Sequence, residues 1–244
     1  MFGLFKKKRK EPEIDFSVIG TDMHSHIIPG IDDGARTIDD SIALAKRFKA
    51  LGYKKLVATP HVMADYFRNN PDTIRRGLDV LREGLLQNQI DLEVDAAAEY
   101  YMDETFEKKI REKTVLTFGD NYLLFELSFI NYPANINDMI KLMQDNGYKP
   151  VLAHPERYPY FHGSVDNYIR IKEQNCNLQV NAIALTGYYG PGPKKLAEEM
   201  VENNLVDFVG SDMHHLRHAD ALKESLYTPG LQSLLNGKLK NTLL

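Results

Sequence analysis

Seven short apolar runs, separated by stretches of helical periodicity, limit this chain to α/β architectures. The runs are Phe16–Gly20, Lys55–Thr59, Leu92–Ala97, Tyr122–Leu127, Pro150–Ala153, Asn177–Asn181 and Phe208–Ser211. They are short and compact, as parallel strands buried on both faces are. Helix signals fill the gaps. Thr37 suits an N-cap, with Asp40 three residues on and Ile38, Ile42 and Ala45 on one face. Asn70-Pro71 opens a second helix carrying Ile74, Leu78, Leu81 and Leu85. Met139, Ile140 and Met143 mark a third, closed by Gly147. Ser164 is placed to cap a fourth, with Tyr168 and Ile171, and Leu196 and Met200 mark a fifth. Seven strand–helix units in one domain predict an α/β barrel, with a doubly wound open sheet as the alternative. No Gly-rich dinucleotide or phosphate loop follows any run, which argues against a nucleotide-binding sheet.

The runs end on residues that bind metals. Asp22-Met23-His24-Ser25-His26 follows the first, Thr59-Pro60-His61 the second and His154-Pro155-Glu156-Arg157 the fifth. Glu99 and Glu126 end the third and fourth, and Ser211-Asp212-Met213-His214 the seventh. In an α/β barrel the segments after the strands form one face. His24, His26, Asp33, His61, Glu99, Glu126, His154, Asp212 and His214 are therefore expected to converge. Nine such donors exceed the four that one zinc ion takes. They suit two or three divalent ions of the Mn, Fe or Zn kind with bridging carboxylates. Residues two apart on a strand point the same way, so His24 and His26 can grip one ion together. Taken singly, each motif has an ordinary reading. Asp32-Asp33-Gly34 is good turn chemistry, and Glu99 is as readily a salt-bridged residue. Glu126, however, interrupts an apolar run, where an unpaired charge is costly. The coincidence of six strand ends carries the inference.

Composition narrows the function. Of 244 residues, 43% are hydrophobic, enough for a sizeable core without disulfides. The single cysteine, Cys176, excludes an intrachain disulfide and cysteine-rich zinc sites. No Cys-x5-Arg phosphate loop follows it, because position 182 is Ala182, so a cysteine nucleophile is also excluded. The net charge of −4 conceals Lys6, Lys7, Lys8, Arg9 and Lys10, and without those five the other residues carry −9. That balance opposes a nucleic-acid substrate. Residues 1–14 are expected to form a flexible basic tail and residues 15–244 one domain. With Phe2, Leu4 and Phe5 ahead of the basic block, residues 1–10 suit weak contact with an anionic membrane surface. No apolar run reaches the roughly 20 residues that span a bilayer. The expected location is the cytoplasm, or peripherally its membrane face.

The order and spacing of these motifs resemble the polymerase and histidinol phosphatase (PHP) superfamily. The stretch from His24-Ser25-His26 through Pro29-Gly30 to Asp32-Asp33-Gly34 resembles, more specifically, the PHP-type protein tyrosine phosphatases encoded with bacterial capsule and exopolysaccharide systems. Thr59-Pro60-His61, Phe125-Glu126, Ala153 to Arg157 and Ser211 to His214 fit the same group. The resemblance implies a distorted (β/α)7 TIM-like barrel, the PHP fold, and three divalent ions, often manganese. It implies that His24, His26, Glu99 and Asp212 hold one ion. Glu99, Glu126 and His154 would hold a second, and Asp33, His61 and His214 the third. Arg157 resembles the family's substrate-phosphate arginine. Arg217 is the nearest match to a second one, at a spacing shorter than the family's.

The resemblance also implies the substrate, phosphotyrosine on the tail of a bacterial tyrosine kinase that regulates polysaccharide export. The rival readings are a PHP phosphatase of a small phosphomonoester such as histidinol phosphate, a nuclease-like PHP enzyme, and a catalytically dead binding module. The filled ligand positions oppose the last. His215 and Asp32 are candidates for a general acid, and His162 and His218 have no assigned role. Tyr188-Tyr189-Gly190-Pro191-Gly192-Pro193 is a turn cluster on the expected active face, suited equally to lining the pocket and to plain loop packing.

Overall fold

In the computed structural model, residues 12–244 are described. The expected tail contacts at residues 1–10 therefore lie outside the described residues. Among the described residues nine strands occur: β1 Thr21–Ser25, β2 Lys55–Ala58, β3 His61–Val62, β4 Glu93–Ala96, β5 Glu99–Tyr101, β6 Tyr122–Glu126, β7 Lys149–Ala153, β8 Asn177–Asn181 and β9 Phe208–Gly210. All their pairings are parallel. Hydrogen bonding divides them into a sheet of order β1-β2-β4 and one of order β3-β5-β6-β7-β8-β9.

The nine strands occupy seven barrel positions, because β2 and β4, which match the expected runs Lys55–Thr59 and Leu92–Ala97, each continue after a short break as β3 and β5. Pro60 has no N–H to give a ladder, and it parts β2 from β3. The pairing resumes at once: Ala97 N donates to Ala58 O at 2.8 Å, and Glu99 N to Pro60 O at 3.1 Å. Around the ring, β9 meets β1 through Asp212 N to His24 O at 2.8 Å and His26 N to Met213 O at 3.0 Å. The result is a distorted (β/α)7 TIM-like barrel, as the sequence led us to expect.

The first strand is displaced from its expected place. Phe16–Val18 form a 3-10 turn, and the strand is the polar segment Thr21–Ser25. Every residue of that segment is buried. Its polar groups are satisfied by tertiary bonds: Asp22 accepts from Ser211 N and Ser211 Oγ, each at 2.8 Å. Partnered polar groups can thus be buried where an apolar pattern alone would not place them.

The helices are α1 Ile38–Ala50, α2 Pro71–Gln87, α3 Phe106–Arg111, α4 Ile136–Asp145, α5 Asp166–Glu173, α6 Pro191–Glu202, α7 Leu216–Ser225 and α8 Pro229–Leu235. Thr37 and Asp40 form a reciprocal capping box for α1, and Asn70 with Thr73 does so for α2. Ser164 Oγ accepts from Asp166 N at 3.1 Å at the start of α5. Helices α3, α7 and α8 were not among the expected ones. Among the described residues, no helix is long and apolar enough to cross a membrane.

The main core lies between helices and strands, with Phe48, Leu81, Phe125, Ile140 and Val180 among its buried members. A second cluster, including Met23, Val57, Leu124, Val151 and Phe208, joins residues from five strands. Tyr122, Leu124 and Glu126 share one face of β6 by strand alternation. One end of that face is apolar, and the other ends in a carboxylate.

Candidate metal centre

All nine expected ligand residues converge at the strand ends. Glu99 sits at the centre. Its Oε2 lies 3.3 Å from His24 Nε2, 3.4 Å from His26 Nε2 and 3.1 Å from His61 Nδ1, and its Oε1 lies 2.9 Å from His154 Nε2. Four overlapping groups have ligand atoms close enough to hold an ion: His24-His26-Asp212, His24-Glu99-His154, His61-Glu99-Glu126 and His26-Asp33-His61-His214. Asp33 is the outermost, its Oδ1 3.6 Å from His61 Nε2 and 3.4 Å from His214 Nε2.

Local structure aims these side chains. The register of β1 against β2 shifts between Asp22 and Ser25, a bulge of the kind that re-aims side chains beside active sites. His154 and Asp212 both take positive φ, 33° and 49°. For residues with a Cβ such backbone costs about 1–3 kcal/mol and clusters at functional sites. Gly34 lets the Asp32-Asp33 turn lie against His26, since a Cβ there would stand 2.1 Å from His26 O. That turn also has a holding role. Asp32 accepts from His26 Nδ1 at 2.8 Å, from His61 N at 3.1 Å and from Gly34 N at 2.9 Å. Its carboxylate is fully buried, so Asp32 orients His26 and is not placed as a general acid.

The donor set fits divalent metal. His61 Nδ1 and Glu99 Oε2 are both buried and 3.1 Å apart, yet neither has a hydrogen bond. His24 Nε2 and His26 Nε2 face each other at 3.3 Å. Buried atoms with lone pairs converging in this way need a cation among them. Electrostatics agree. Burial works against charging His61, but Glu99 raises it, to about 9. Burial likewise opposes the ionised Asp212, yet His24 and His214 hold it well below the carboxylate range. His24, His26 and His61 are all shifted toward the charged form by the surrounding carboxylates, whereas burial shifts His154 toward the neutral one.

A cavity of about 590 Å³ opens above the cluster. Its lining includes Asp33, His61, Glu126, His154, Asp212 and His214 from the expected ligand set, and Arg157. Arg157 Nη1 donates to Asp212 Oδ2 at 2.8 Å. Its guanidinium lies 4.9 Å from the Phe129 ring centre and 4.4 Å from that of Tyr189. Tyr189 therefore lines the pocket. Arg217 is not brought there: it is exposed on the first turn of α7 and lines a neighbouring groove with Arg36 and Asp40. Asp33, His214 and His215 line both that groove and the cavity, so Arg217 stands beside the site without lining the cavity itself. His215 caps α7 and His218 is largely buried, and both line the cavity. Cys176 is buried, and burial pushes its thiol well above the usual range, as suits a packing residue.

Sequence reasoning missed Phe129, Gln179 and Asn181. Phe129 lies on a loop with no periodic signal. Gln179 and Asn181 did carry one, as two amides at alternate positions of a strand buried throughout.

Fold and donor set together define a PHP-type barrel equipped to hold divalent metal. The family model for capsular polysaccharide synthesis, CpsB/CapC, matches residues 20–226, and the chain belongs to that family. The tyrosine-protein phosphatase YwqE of Bacillus subtilis is 31% identical over 208 residues, 84% of this chain and 82% of its own. CapC of Staphylococcus aureus is 27% identical over 228 residues, 89% of each. A solved structure from work on YwqE and on CpsB of Streptococcus pneumoniae, described as unique metal-dependent tyrosine phosphatases, superposes with a TM-score of 0.79. It is 29% identical and covers 84% of both chains.

Proposed function

We propose that this chain is a metal-dependent protein tyrosine phosphatase of capsule or exopolysaccharide synthesis, acting on the phosphotyrosine tail of a bacterial tyrosine kinase. The observation that carries this reading is the cavity itself. Its floor is the His and carboxylate cluster, Arg157 stands at its side, and Phe67, Phe129 and Tyr189 line it. The names of the relatives support a protein phosphotyrosine substrate over a small phosphomonoester such as histidinol phosphate.

In this reading three divalent ions, manganese first, are held at three positions. His24, His26, Glu99 and Asp212 form one, Glu99, Glu126 and His154 the second, and Asp33, His61 and His214 the third. Bound there, such ions supply positive charge for phosphoryl oxygens and lower the pKa of water toward 7. The chain does the rest. Arg157 offers a planar fork to two phosphoryl oxygens. Phe129 and Tyr189 restrain its guanidinium, so less entropy is lost when it engages. Glu99, Asp212 and the histidines fix charge before substrate arrives, which is most of what phosphoryl transfer asks of a protein. Tyrosine has a pKa near 10, so its phenolate leaves without strong protonation, and His215 at the cavity wall is not required as an acid. The N-terminal residues 1–10 would hold the enzyme weakly at the membrane face, beside its kinase.

The test is phosphate release from a phosphotyrosine peptide by chelator-stripped protein, with and without added Mn2+, together with metal analysis. Manganese-dependent release is expected, with little turnover of histidinol phosphate. Turnover of histidinol phosphate alone overturns the reading.

A further inference from the structure

Strand β8 carries none of the nine donors, yet its inward polar residues touch the cluster at two points. Gln179 is fully buried. Its Oε1 lies 2.8 Å from His24 Nδ1 and also accepts from His154 N at 3.3 Å. A backbone N–H can only donate, so the atom facing both partners is the amide oxygen. His24 Nδ1 must then carry a proton, which leaves the lone pair on Nε2. Nε2 is the atom that faces Glu99 and Asp212, at 3.3 and 3.6 Å.

The same amide sets a second group. Gln179 Nε2 donates to Asn181 Oδ1 at 2.9 Å. With its oxygen so engaged, Asn181 directs Nδ2 to Asp212 Oδ2 at 2.8 Å. Arg157 occupies Oδ2 as well. Asp212 Oδ1 is left facing His24 and His26. A one-way chain of donors thus runs from the His154 backbone through Gln179 and Asn181 to Asp212.

We infer that Gln179 and Asn181 are positioning residues for the first ion position, fixing His24 Nε2 and Asp212 Oδ1 as its ligand atoms. The inference rests on the metal-binding reading of the cluster. Partners behind metal ligands hold tautomer and orientation, and losing one typically costs about 10–100-fold in affinity.

The experiment is Mn2+ titration by calorimetry of wild type, Gln179→Leu and Gln179→Glu, with thermal melts of the metal-free proteins. Leu keeps the volume but has no acceptor, whereas Glu keeps an oxygen for His24 Nδ1. Gln179→Leu should weaken the tightest Mn2+ event about 10–100-fold, and Gln179→Glu, which restores the acceptor for His24 Nδ1 but not the donor to Asn181, should recover part of the loss. Should Gln179→Leu fail to fold, long-range proton–nitrogen spectra of the zinc-loaded wild type decide the matter. They should show a ring with Nδ1 protonated and Nε2 on the metal, and its Nδ1 signal should move in Gln179→Glu. Wild-type Mn2+ affinity in a folded Gln179→Leu protein would overturn the positioning role, as would equal loss in both variants or a His24 ring bound through Nδ1. A wild-type protein that binds no Mn2+ would instead overturn the metal reading itself.

Discussion

Arg157 Nη1 donates to Asp212 Oδ2 at 2.8 Å, which fastens a cation to the outer oxygen of a carboxylate whose inner oxygen faces His24 and His26. The same side chain lines the cavity, so it has both a partner in the floor and open space before it. Lysine in its place would keep the charge but lose the fork and the flat contact with Phe129 and Tyr189. Removing one preorganised donor to a transition state typically costs about 100–1,000-fold in rate. Arg157→Lys should therefore lower kcat/KM on a phosphotyrosine peptide by about 100-fold, with metal content unchanged. A loss below tenfold would remove Arg157 from the phosphate-binding role.

His154 tests the centre of the cluster. Its Nε2 lies 2.9 Å from Glu99 Oε1, and its ring stacks 5.8 Å from that of Phe129. His154→Ala removes one donor and part of the apolar support beneath Phe129. Activity should fall by more than the 10–100-fold typical of losing a partner behind a ligand, while circular dichroism stays that of wild type. Full activity in the variant would remove His154 from the ligand set.

How much of this was legible before the structure depended on where each residue's constraint came from. Asn177–Asn181 was bounded correctly as a strand, and Thr37 and Asn70 correctly opened helices, because local chemistry sets caps and short buried runs. Phe16–Gly20 was not a strand, since Thr21–Ser25 takes that place through bonds to Ser211, 189 residues away for Asp22. The ligand residues stood out because His and Glu are conspicuous at the end of apolar runs. The roles of Asp32 and Gln179 did not, because each depends on contacts across the fold: Asp32 reaches His61 N, and Gln179 reaches His24. Arg217 was placed by spacing from a motif, and spacing does not foresee that it lines the groove beside the cavity, with Asp33 and His214, and not the cavity itself.

Cys176 offers a check on the class of chemistry. Its sulfur is buried against the Asn177 carbonyl at 3.6 Å, and burial pushes the thiol pKa up. Its thiolate is therefore scarce at neutral pH, and only the thiolate attacks disulfide reagents. Labelling by Ellman's reagent should be slow in the native protein and complete in denaturant. Cys176→Ala should keep phosphatase activity within about twofold and lose no more than about 1–2 kcal/mol of stability. A Cys176→Ala protein that is folded but inactive would restore cysteine chemistry as the mechanism.

Gly34 separates the contribution of the loop from that of its ligands. A Cβ at this position would meet His26 O at 2.1 Å and His26 Cβ at 2.5 Å, and both are backbone or close to it. Neither can swing away, so Gly34→Ala must displace either β1's exit or the Asp32-Asp33 turn. Overpacking of this kind costs about 1–3 kcal/mol. In a chain of 150–250 residues, each kcal/mol lowers Tm by about 2–4 °C. Displacing the turn also moves Asp32 off His26 Nδ1 and Asp33 off His214, whose contacts are 2.8 and 3.4 Å. The variant should therefore lose metal affinity beyond its stability loss. Mn2+ should raise its Tm by less than it raises that of wild type. An equal rise in both proteins would show that the Asp32-Asp33 turn can shift without disturbing the metal position it borders.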